Sequence, residues 1–524
     1  MSSATTAVFP RPAGQSADRV ARRWVPDRSW WLSVCAAAMA IVVFAFARNT
    51  LIDDAYTFLA YARNLAFHWH WGLIPNATTN TATSVLNVWL LALFSAITRK
   101  PVLALGIVYV LSTLALEYGL RRVARAIGLP TWLGLLATAI VVFDPLLMSS
   151  VGMEVALAGG LIALLMAAAV AGRPVWFGIL AGLLVLTRPD LVIVVLVVFV
   201  FVRSGWRRWW WSPIAALVVT VPWYVWSWFK LGSAVPVSLF IKKDQLAWPA
   251  LGTSYSFGSG PLLYLHFFPM ATVLSFLPAI LGLLAAIVWL VLRIFHPTDR
   301  VRQLDRLAPL ALAGVLHYLA YSLLGVPPYH WYYGPSVICL SVFLAAAVVV
   351  LARREGRSAV SVRPRSAPLA LTLLLVVAFI GHYGLHGLPP SFAPIETNLG
   401  SAKEYQQLGS QLDALIDGRS VKSSGEIGTE AYFCDCTVID LFSDPAADAA
   451  LIPPVLARSG PLTRALLKLN FRHTDYSQQP VVPQQDLEYV SSVPPGAIAV
   501  WPVSSPWAQN VQHYVVLMPP KTSG

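Results

Sequence analysis

The sequence predicts an all-α, polytopic membrane protein with a small α/β-like domain at its C-terminal end. Three observations predict it. Of 524 residues, 57% are hydrophobic and only 12% are charged, against about 25% charged in a typical soluble domain. Mean hydropathy is +0.64. The apolar residues gather into runs long enough to cross a bilayer, whereas residues 383–524 contain none. So few charges cannot cover so much apolar surface in water, which excludes an ordinary cytoplasmic enzyme.

Runs of about 17–25 apolar residues span a membrane. Candidates lie at 30–48, 102–120, 131–147, 155–171, 175–202, 212–229, 262–292, 307–326, 334–352 and 366–382. The run 84–98 is shorter. Thr187-Arg188-Pro189-Asp190 interrupts the long run 175–202, because Pro189 lacks an amide and disfavours helix at Arg188. Two topologies follow. Either 84–98 crosses and 175–202 is one broken span, or 84–98 lies on the outer surface and 175–202 is a hairpin with its tip outside. The second places Arg121, Arg122 and Arg125 inside with Arg203, Arg207, Arg208, Arg293, Arg300, Arg302, Arg353 and Arg354, as the positive-inside rule requires. It predicts about eleven spans, with the N-terminus cytoplasmic and the C-terminus outside the plasma (inner) membrane.

The predicted organisation is a basic cytoplasmic tail at 1–29, a transmembrane domain at 30–382 with its first external loop at 49–100, and an extracytoplasmic domain at 383–524. The last is rich in prolines and short apolar runs such as Thr437–Phe442 and Ile498–Trp501. The first apolar run is long enough to remain as an anchor rather than a cleaved signal.

The formal net charge is +12, but the arginines sit between apolar runs and set topology. No nucleic-acid-binding motif accompanies them. Cys35 and Cys339 lie in apolar runs as packing residues. Cys434 and Cys436 either pair or remain free thiols, a one-residue spacing making a tight loop.

In this topology Asp53, Asp54, Glu154, Arg188, Asp190, Lys242, Lys243 and His330 all fall on the external side. Charges at a membrane edge are costly and usually functional. Their convergence predicts one polar site at the outer leaflet. Asp53-Asp54 opens an amphipathic segment whose polar stripe is Asp54, Thr57, Tyr61 and Asn64 and whose apolar face includes Phe58, Leu59 and Leu65, the pattern of a helix lying along the membrane surface. The two acids read either as helix caps or as a general base with a second carboxylate orienting an acceptor. Glu154 reads as a helix N-terminal acid or a sugar contact, and Asp190, at the same hairpin tip as Arg188, as a second acid for sugar or acceptor. Arg188, Lys242 and Lys243 read as phosphate binders or, for the lysines above all, as chains snorkelling to lipid headgroups. His330, in Tyr329-His330-Trp331-Tyr332-Tyr333, reads as part of an interfacial aromatic belt or as a phosphate or sugar contact. His68 and His70 have no supporting metal-ligand spacing, and no phosphate-cradling loop or dinucleotide fingerprint occurs. No cofactor, metal or nucleotide is expected.

In order along the chain, Ile52-Asp53-Asp54-Ala55-Tyr56, Tyr61-Ala62-Arg63-Asn64, Gly152-Met153-Glu154, Leu186-Thr187-Arg188-Pro189-Asp190, Val235-Pro236-Val237-Ser238 ahead of Lys242, and Tyr329-His330-Trp331-Tyr332-Tyr333 resemble the GT-C glycosyltransferases that use polyprenyl-phosphate sugars. Gly425-Glu426-Ile427-Gly428 and Val438-Ile439-Asp440-Leu441 extend the resemblance into the C-terminal domain. Within that superfamily the set is most similar to the branch holding the mycobacterial and corynebacterial terminal β-(1→2) arabinofuranosyltransferase. The resemblance implies a decaprenyl-phosphate sugar donor, inverting transfer to a cell-envelope polysaccharide or glycolipid, Asp53 as base with Asp54 beside it, and Arg188 and Lys242 at the donor phosphate, where the residue reading adds Lys243 and His330. Glu154, Asp190, Tyr61 and Tyr332 would meet sugar or acceptor. The chain departs from relatives at Thr78-Thr79-Asn80-Thr81-Ala82-Thr83-Ser84, which lacks their acid, and at Val237, where they carry Asn or Ser. A polyprenyl-phosphate-mannose transferase is the rival of the same class. A lipid or glycan transporter is the rival of another class, without the repeated halves that transporters usually show; a non-catalytic wall-assembly scaffold is a third.

Overall fold

The computed structural model describes residues 29–202, 207–245, 248–250, 252–351 and 390–520, with positions 373, 376, 377, 380 and 381 between them. Most of the expected basic tail and most of the candidate span 366–382 lie outside the described residues.

The helical body runs α1 (Trp30–Ala47), α2 (Asp53–His68), α3 (Val85–Thr98), α4 (Pro101–Ala126), α5 (Leu133–Val142), α6 (Pro145–Ser149), α7 (Val155–Val170), α8 (Pro174–Thr187), α9 (Val192–Val202), α10 (Trp211–Lys230), α11 (Ser238–Asp244), α12 (Gly260–Phe267), α13 (Pro269–Phe295), α14 (Asp299–Gln303), α15 (Ala308–Leu324) and α16 (Gly334–Leu351). A small antiparallel hairpin, β1 (Trp248–Ala250) and β2 (Thr253–Tyr255), precedes α12. Among the described residues, α1, α4, α10, α13 and His330–Val350 are long and apolar enough to cross a membrane, and Asp299–Arg306 with Ala308–Leu324, bent by 51°, makes a sixth if counted as one span. The expected eleven are therefore not all full-length helices. The run 131–147 breaks because the Asp144 carboxylate accepts from the amides of Leu146 and Leu147 and starts α6. The run 175–202 breaks at Arg188-Pro189, as the sequence predicts, leaving arms of 14 and 11 residues.

Small residues let these short helices approach. A Cβ on Gly178 would lie 2.2 Å from the Ser212 carbonyl, and one on Gly182 would lie 2.7 Å from Val219. The four-residue spacing makes a notch in α8 that receives α10, the small-residue packing used where no water drives helices together.

The C-terminal unit contains α17 (Ala402–Ile416), β3 (Val421–Lys422), α18 (Ile427–Cys434), β4 (Val438–Ile439), α19 (Pro445–Arg458), α20 (Pro461–Asn470), β5 (Gln485–Val490), β6 (Ala499–Val503) and β7 (His513–Leu517). Its sheet has the order β4-β3-β5-β7-β6. β3 is parallel to β4 and β5, and β7 is antiparallel to β5 and β6. A Ser401/Glu404 capping box starts α17. Cys434 and Cys436 are joined in a disulfide, so of the two readings of that spacing the paired one holds.

The polar stripe of α2 faces protein rather than water. Tyr61 and Asn64, on its polar stripe, are buried at 0% and 1% exposure. The C-terminal unit covers α2, with α18 running alongside it. Asp53 Oδ1 accepts from the Thr429 amide (2.7 Å) and hydroxyl (3.0 Å) at the first turn of α18. Arg63 donates to the carbonyls of Tyr432 (2.7 Å) and Ala431 (3.5 Å) at its last turn and pairs with Asp435 at 2.6 Å. An acid thus meets the amide end of α18 and a cation its carbonyl end, both favourable to the helix dipole. The contact is closest at Gly428, where a Cβ would lie 2.1 Å from the Asp53 carbonyl oxygen and 2.7 Å from Thr57 Oγ1. Backbone cannot yield as a flexible side chain does. Gly428→Ala is expected to cost about 1–3 kcal/mol, read as a lower thermal midpoint of the purified protein; an unchanged midpoint would contradict this packing.

Candidate functional site

Where α2, α11, the break between α8 and α9, the start of α7 and the residues before α16 converge, they enclose a narrow cavity of about 50 Å³. Its ionisable wall is Asp54, Glu154, Arg188, Asp190 and Lys242, with Tyr321, Trp331 and Tyr332 as its aromatic side. Thr57, Thr81, Thr83 and Ser238 add hydroxyls, and Ile427 and Phe442 close it from the C-terminal unit. The convergence expected from the sequence is therefore present for five of its eight charged candidates.

Arg188 is 3% exposed, a position where a guanidinium requires full compensation. Its Nε and Nη2 donate to the two Asp190 oxygens at 3.0 and 3.1 Å. Nη1 donates to Glu154 at 3.0 Å and Nη2 to the Tyr321 hydroxyl at 2.9 Å. Its Cζ lies 5.2 Å from the centre of the Tyr332 ring. Asp190 also meets His317 Nε2 at 2.9 Å, and His317 Nδ1 meets Ser336 at 3.0 Å. The local cause is Pro189: helix cannot continue through it, Arg188 is extended (φ −155°, ψ 124°), and the fork turns inward. Arg188 is thus less a vacant phosphate fork than the centre of a buried network. Glu154, expected at a sugar, is instead its partner, although Glu154 Oε2 has no hydrogen-bond partner and stands on the cavity wall.

Lys242 is the more available cation. Its Nζ donates to Asp54 Oδ2 at 2.5 Å and lies 4.5 Å and 5.2 Å from the ring centres of Tyr329 and Trp331. Such faces attract an ammonium. Burial opposes the charge of Lys242, but Asp54, Tyr329 and Glu154 together outweigh it and hold the ammonium above its ordinary range. Lys243 lies on α11 beside it, and its side chain is outside the described ones.

The other predicted residues are elsewhere. Asp53 faces Thr429 rather than the cavity, because successive helical residues point about 100° apart and only Asp54 turns inward. Tyr61 is buried behind the wall, where its hydroxyl meets Thr79 Oγ1 at 2.6 Å and Thr81 Oγ1 at 2.7 Å. It shapes the loop and does not line the cavity. His330 is buried against Ser149, its Nε2 3.3 Å from that carbonyl oxygen, and is not on the wall; a loop geometry that points Trp331 and Tyr332 at the cavity turns His330 away from it. Tyr332 does line it. His317 and Tyr321 escaped the sequence reading because they lie inside an apolar helix rather than in a loop; their spacing of four is the signal that could have found them. Among the described residues no group of three His, Cys, Asp or Glu side chains is placed to hold a metal.

No family model and no curated protein matches the chain. Among the solved structures with weak likeness to it are three different proteins. These are ArnT from Cupriavidus metallidurans bound to undecaprenyl phosphate (15% identity, 94% of this chain and 98% of that chain, TM-score 0.45), the apo oligosaccharyltransferase of Archaeoglobus fulgidus (12%, 88% and 70%, 0.47) and the arabinofuranosyltransferase AftD from Mycobacteria (14%, 94% and 40%, 0.44). At these scores the likeness carries no argument about activity.

Asp53 yields a pH prediction. Burial of its carboxylate, with the neighbouring Asp54 charge, outweighs the Thr429 hydrogen bonds and pushes its pKa from 3.8 up to about 7. Glu426, also facing Asp53, is pushed well up by burial and by the Asp53 charge, and Glu430, pushed up to about 8 chiefly by burial, faces it too. Between the two values Asp53 holds more of its proton in the folded chain than in the unfolded one, so the stability it contributes is fully present below about pH 4 and is lost as pH rises towards 7. Asp53→Asn is expected to flatten that decline in thermal unfolding followed across the interval; an unaltered slope would show that Asp53 is not desolvated.

Proposed function

We propose that the chain is an inverting glycosyltransferase that moves a sugar, arabinofuranose being favoured, from a polyprenyl-phosphate donor to a cell-envelope glycan at the outer face of the plasma membrane. One observation carries this reading: a lysine and a carboxylate lie in contact within a small cavity, at the edge of a helical body with apolar outer faces. The pair supplies the two functions that sugar transfer from a phosphate ester needs. In the proposed step, Asp54 takes the proton of an acceptor hydroxyl, whose oxygen forms a bond to the anomeric carbon from the face opposite the phosphate. The bond from that carbon to the phosphate oxygen breaks, and the phosphate leaves with the electron pair. Lys242 meets the charge that grows on the leaving oxygen, where a preplaced cation lowers the barrier. Donor phosphate and Asp54 compete for the same ammonium, so donor binding draws Lys242 away and frees Asp54 as base.

Arg188 has a different part in this account. Two carboxylates and a phenol engage it, so it fixes the floor of the cavity and leaves Lys242 as the cation there that can meet a phosphate. A lipid-linked donor accords with a second cavity, of about 510 Å³, between α12, α13, α15 and α16. It is lined by Leu262, Leu265, Phe276, Leu277, Ile280 and Leu283 among others. The ordered sequence resemblance to GT-C enzymes points to the same chemistry.

Purified full-length protein in nanodiscs, given decaprenyl-phosphate arabinofuranose or polyprenyl-phosphate mannose and a short glycan acceptor, tests the reading and selects the sugar. Asp54→Asn is expected to lower kcat about 10²- to 10⁴-fold. Asp53→Asn is expected to be the milder change, and Lys242→Met to raise the donor KM. Full transfer by Asp54→Asn would remove Asp54 as base, and transfer with neither donor would remove the proposed function.

A further inference from the structure

A third cavity, of about 240 Å³, lies on the other side of the Thr79–Thr81 segment from the ionic one. The segment is a shared partition. Thr79 and Asn80 line the larger cavity while Thr81 lines the smaller, and Val237 lines the larger while Ser238 lines the smaller. The partition is held firmly. Tyr61 bonds both threonines. Asn80 Nδ2 donates to Ser227 Oγ at 3.1 Å and to Ser233 at 2.9 Å, and its carbonyl accepts from the Val237 amide at 2.9 Å. The opposite wall is the C-terminal unit. It is fastened by Trp228 Nε1 donating to the Leu469 carbonyl (2.9 Å), the Val235 amide donating to Asn470 Oδ1 (2.9 Å) and Thr474 Oγ1 donating to the Gly232 carbonyl (3.1 Å).

One group in this cavity has no structural explanation. Asp448, on α19, is 4% exposed, and its Oδ1 has no hydrogen-bond partner. It stands on the cavity wall. A buried, unsatisfied carboxyl oxygen costs free energy unless something outside the chain satisfies it. Burial, with Asp440 and Asp444 nearby, pushes its pKa up to about 8, so that at neutral pH it both donates and accepts. The rest of the wall mixes hydroxyl and amide groups (Thr78, Ser233, Gln478) with aliphatic surface (Leu231, Ile452).

That lining selects a chemical class. Asp448 and Asp475 face the two basic groups, Lys230 and His473, so an anion would meet repulsion as well as attraction. No metal-holding group of three occurs among the described residues. A wholly apolar ligand would leave Asp448 unsatisfied. A neutral polyol with an apolar ring face meets every condition, and the volume lies below the about 300–1,000 Å³ of drug-sized ligand sites, in keeping with a single sugar residue.

We infer that this cleft is a carbohydrate subsite that holds a sugar residue of the acceptor glycan, one partition away from the ionic cavity, with the Asp448 carboxyl bonded to its hydroxyls. The inference rests on the proposed transferase reading for the word acceptor, and on the cleft alone for the sugar. No bond is made or broken there; the subsite orients the glycan so that its terminal hydroxyl reaches past Thr81 to Asp54.

Calorimetric titration of the full-length protein in nanodiscs with an arabinofuranose trisaccharide and a mannose trisaccharide tests it, alongside titration with decaprenyl monophosphate. The native protein is expected to bind at least one trisaccharide. Asp448→Leu, which keeps the size and removes both donor and acceptor, should weaken that binding about 10- to 100-fold and leave decaprenyl monophosphate affinity unchanged, which also verifies folding. Gln478→Trp, at an exposed position of the rim, should block the cleft with the same pattern. Trisaccharide affinities unchanged in both variants, or no binding of either trisaccharide to the native protein, would overturn the subsite. Sugar binding without any decaprenyl monophosphate binding would uphold the subsite and count against the transferase reading instead.

Discussion

A buried guanidinium organises this molecule. Arg188 sits at 3% exposure inside an apolar helical body, and a charge in that position is tolerated only when carboxylates and hydroxyls satisfy it completely. Glu154 comes from the start of α7, Asp190 from the break before α9, and Tyr321 and His317 from α15. Three segments distant in sequence are thereby fixed around one point. Replacing Arg188 with lysine would not preserve the arrangement, because a single ammonium cannot copy the two parallel bonds to Asp190. The cavity floor is therefore set by electrostatic necessity, and the more mobile chemistry is left to Lys242 above it.

The paired acids at the start of α2 divide two tasks. Asp54 turns into the cavity and holds Lys242. Asp53 turns outward and binds the first turn of α18. The second contact matters to the first, because α18 also carries Ile427, which closes the cavity. Acid–amide contact at one end of α18 and Arg63–carbonyl contact at the other dock the C-terminal unit on the very helix that presents Asp54. A single dipeptide thus couples the closure of the site to its chemistry.

Much of this was legible in the sequence, and the residues show why the rest was not. The charge-poor composition and long apolar runs announced a membrane-spanning helical body, and Pro189 marked the break that turns Arg188 inward. The gathering of Asp54, Glu154, Arg188, Asp190 and Lys242 followed from placing their loops on one side. Which residue of Asp53-Asp54 faces the cavity depends on helix rotation, which a dipeptide does not encode. The pairing of Glu154 with Arg188 joins positions 34 residues apart and has no local signature. The short helix α5 escaped because an apolar run does not reveal that Asp144 will divide it. Asp448 has no local signature in the sequence, because its burial depends on the tertiary packing of α19.

The central claim is that Lys242 exchanges a carboxylate for a phosphate. A structure of the full-length protein in nanodiscs with decaprenyl monophosphate tests it most directly. The account predicts the phosphate within hydrogen-bond distance of Lys242 Nζ, the 2.5 Å contact with Asp54 opened, and Arg188 still bound to Glu154 and Asp190. A phosphate lodged away from Lys242, with the lysine still on Asp54, would contradict it.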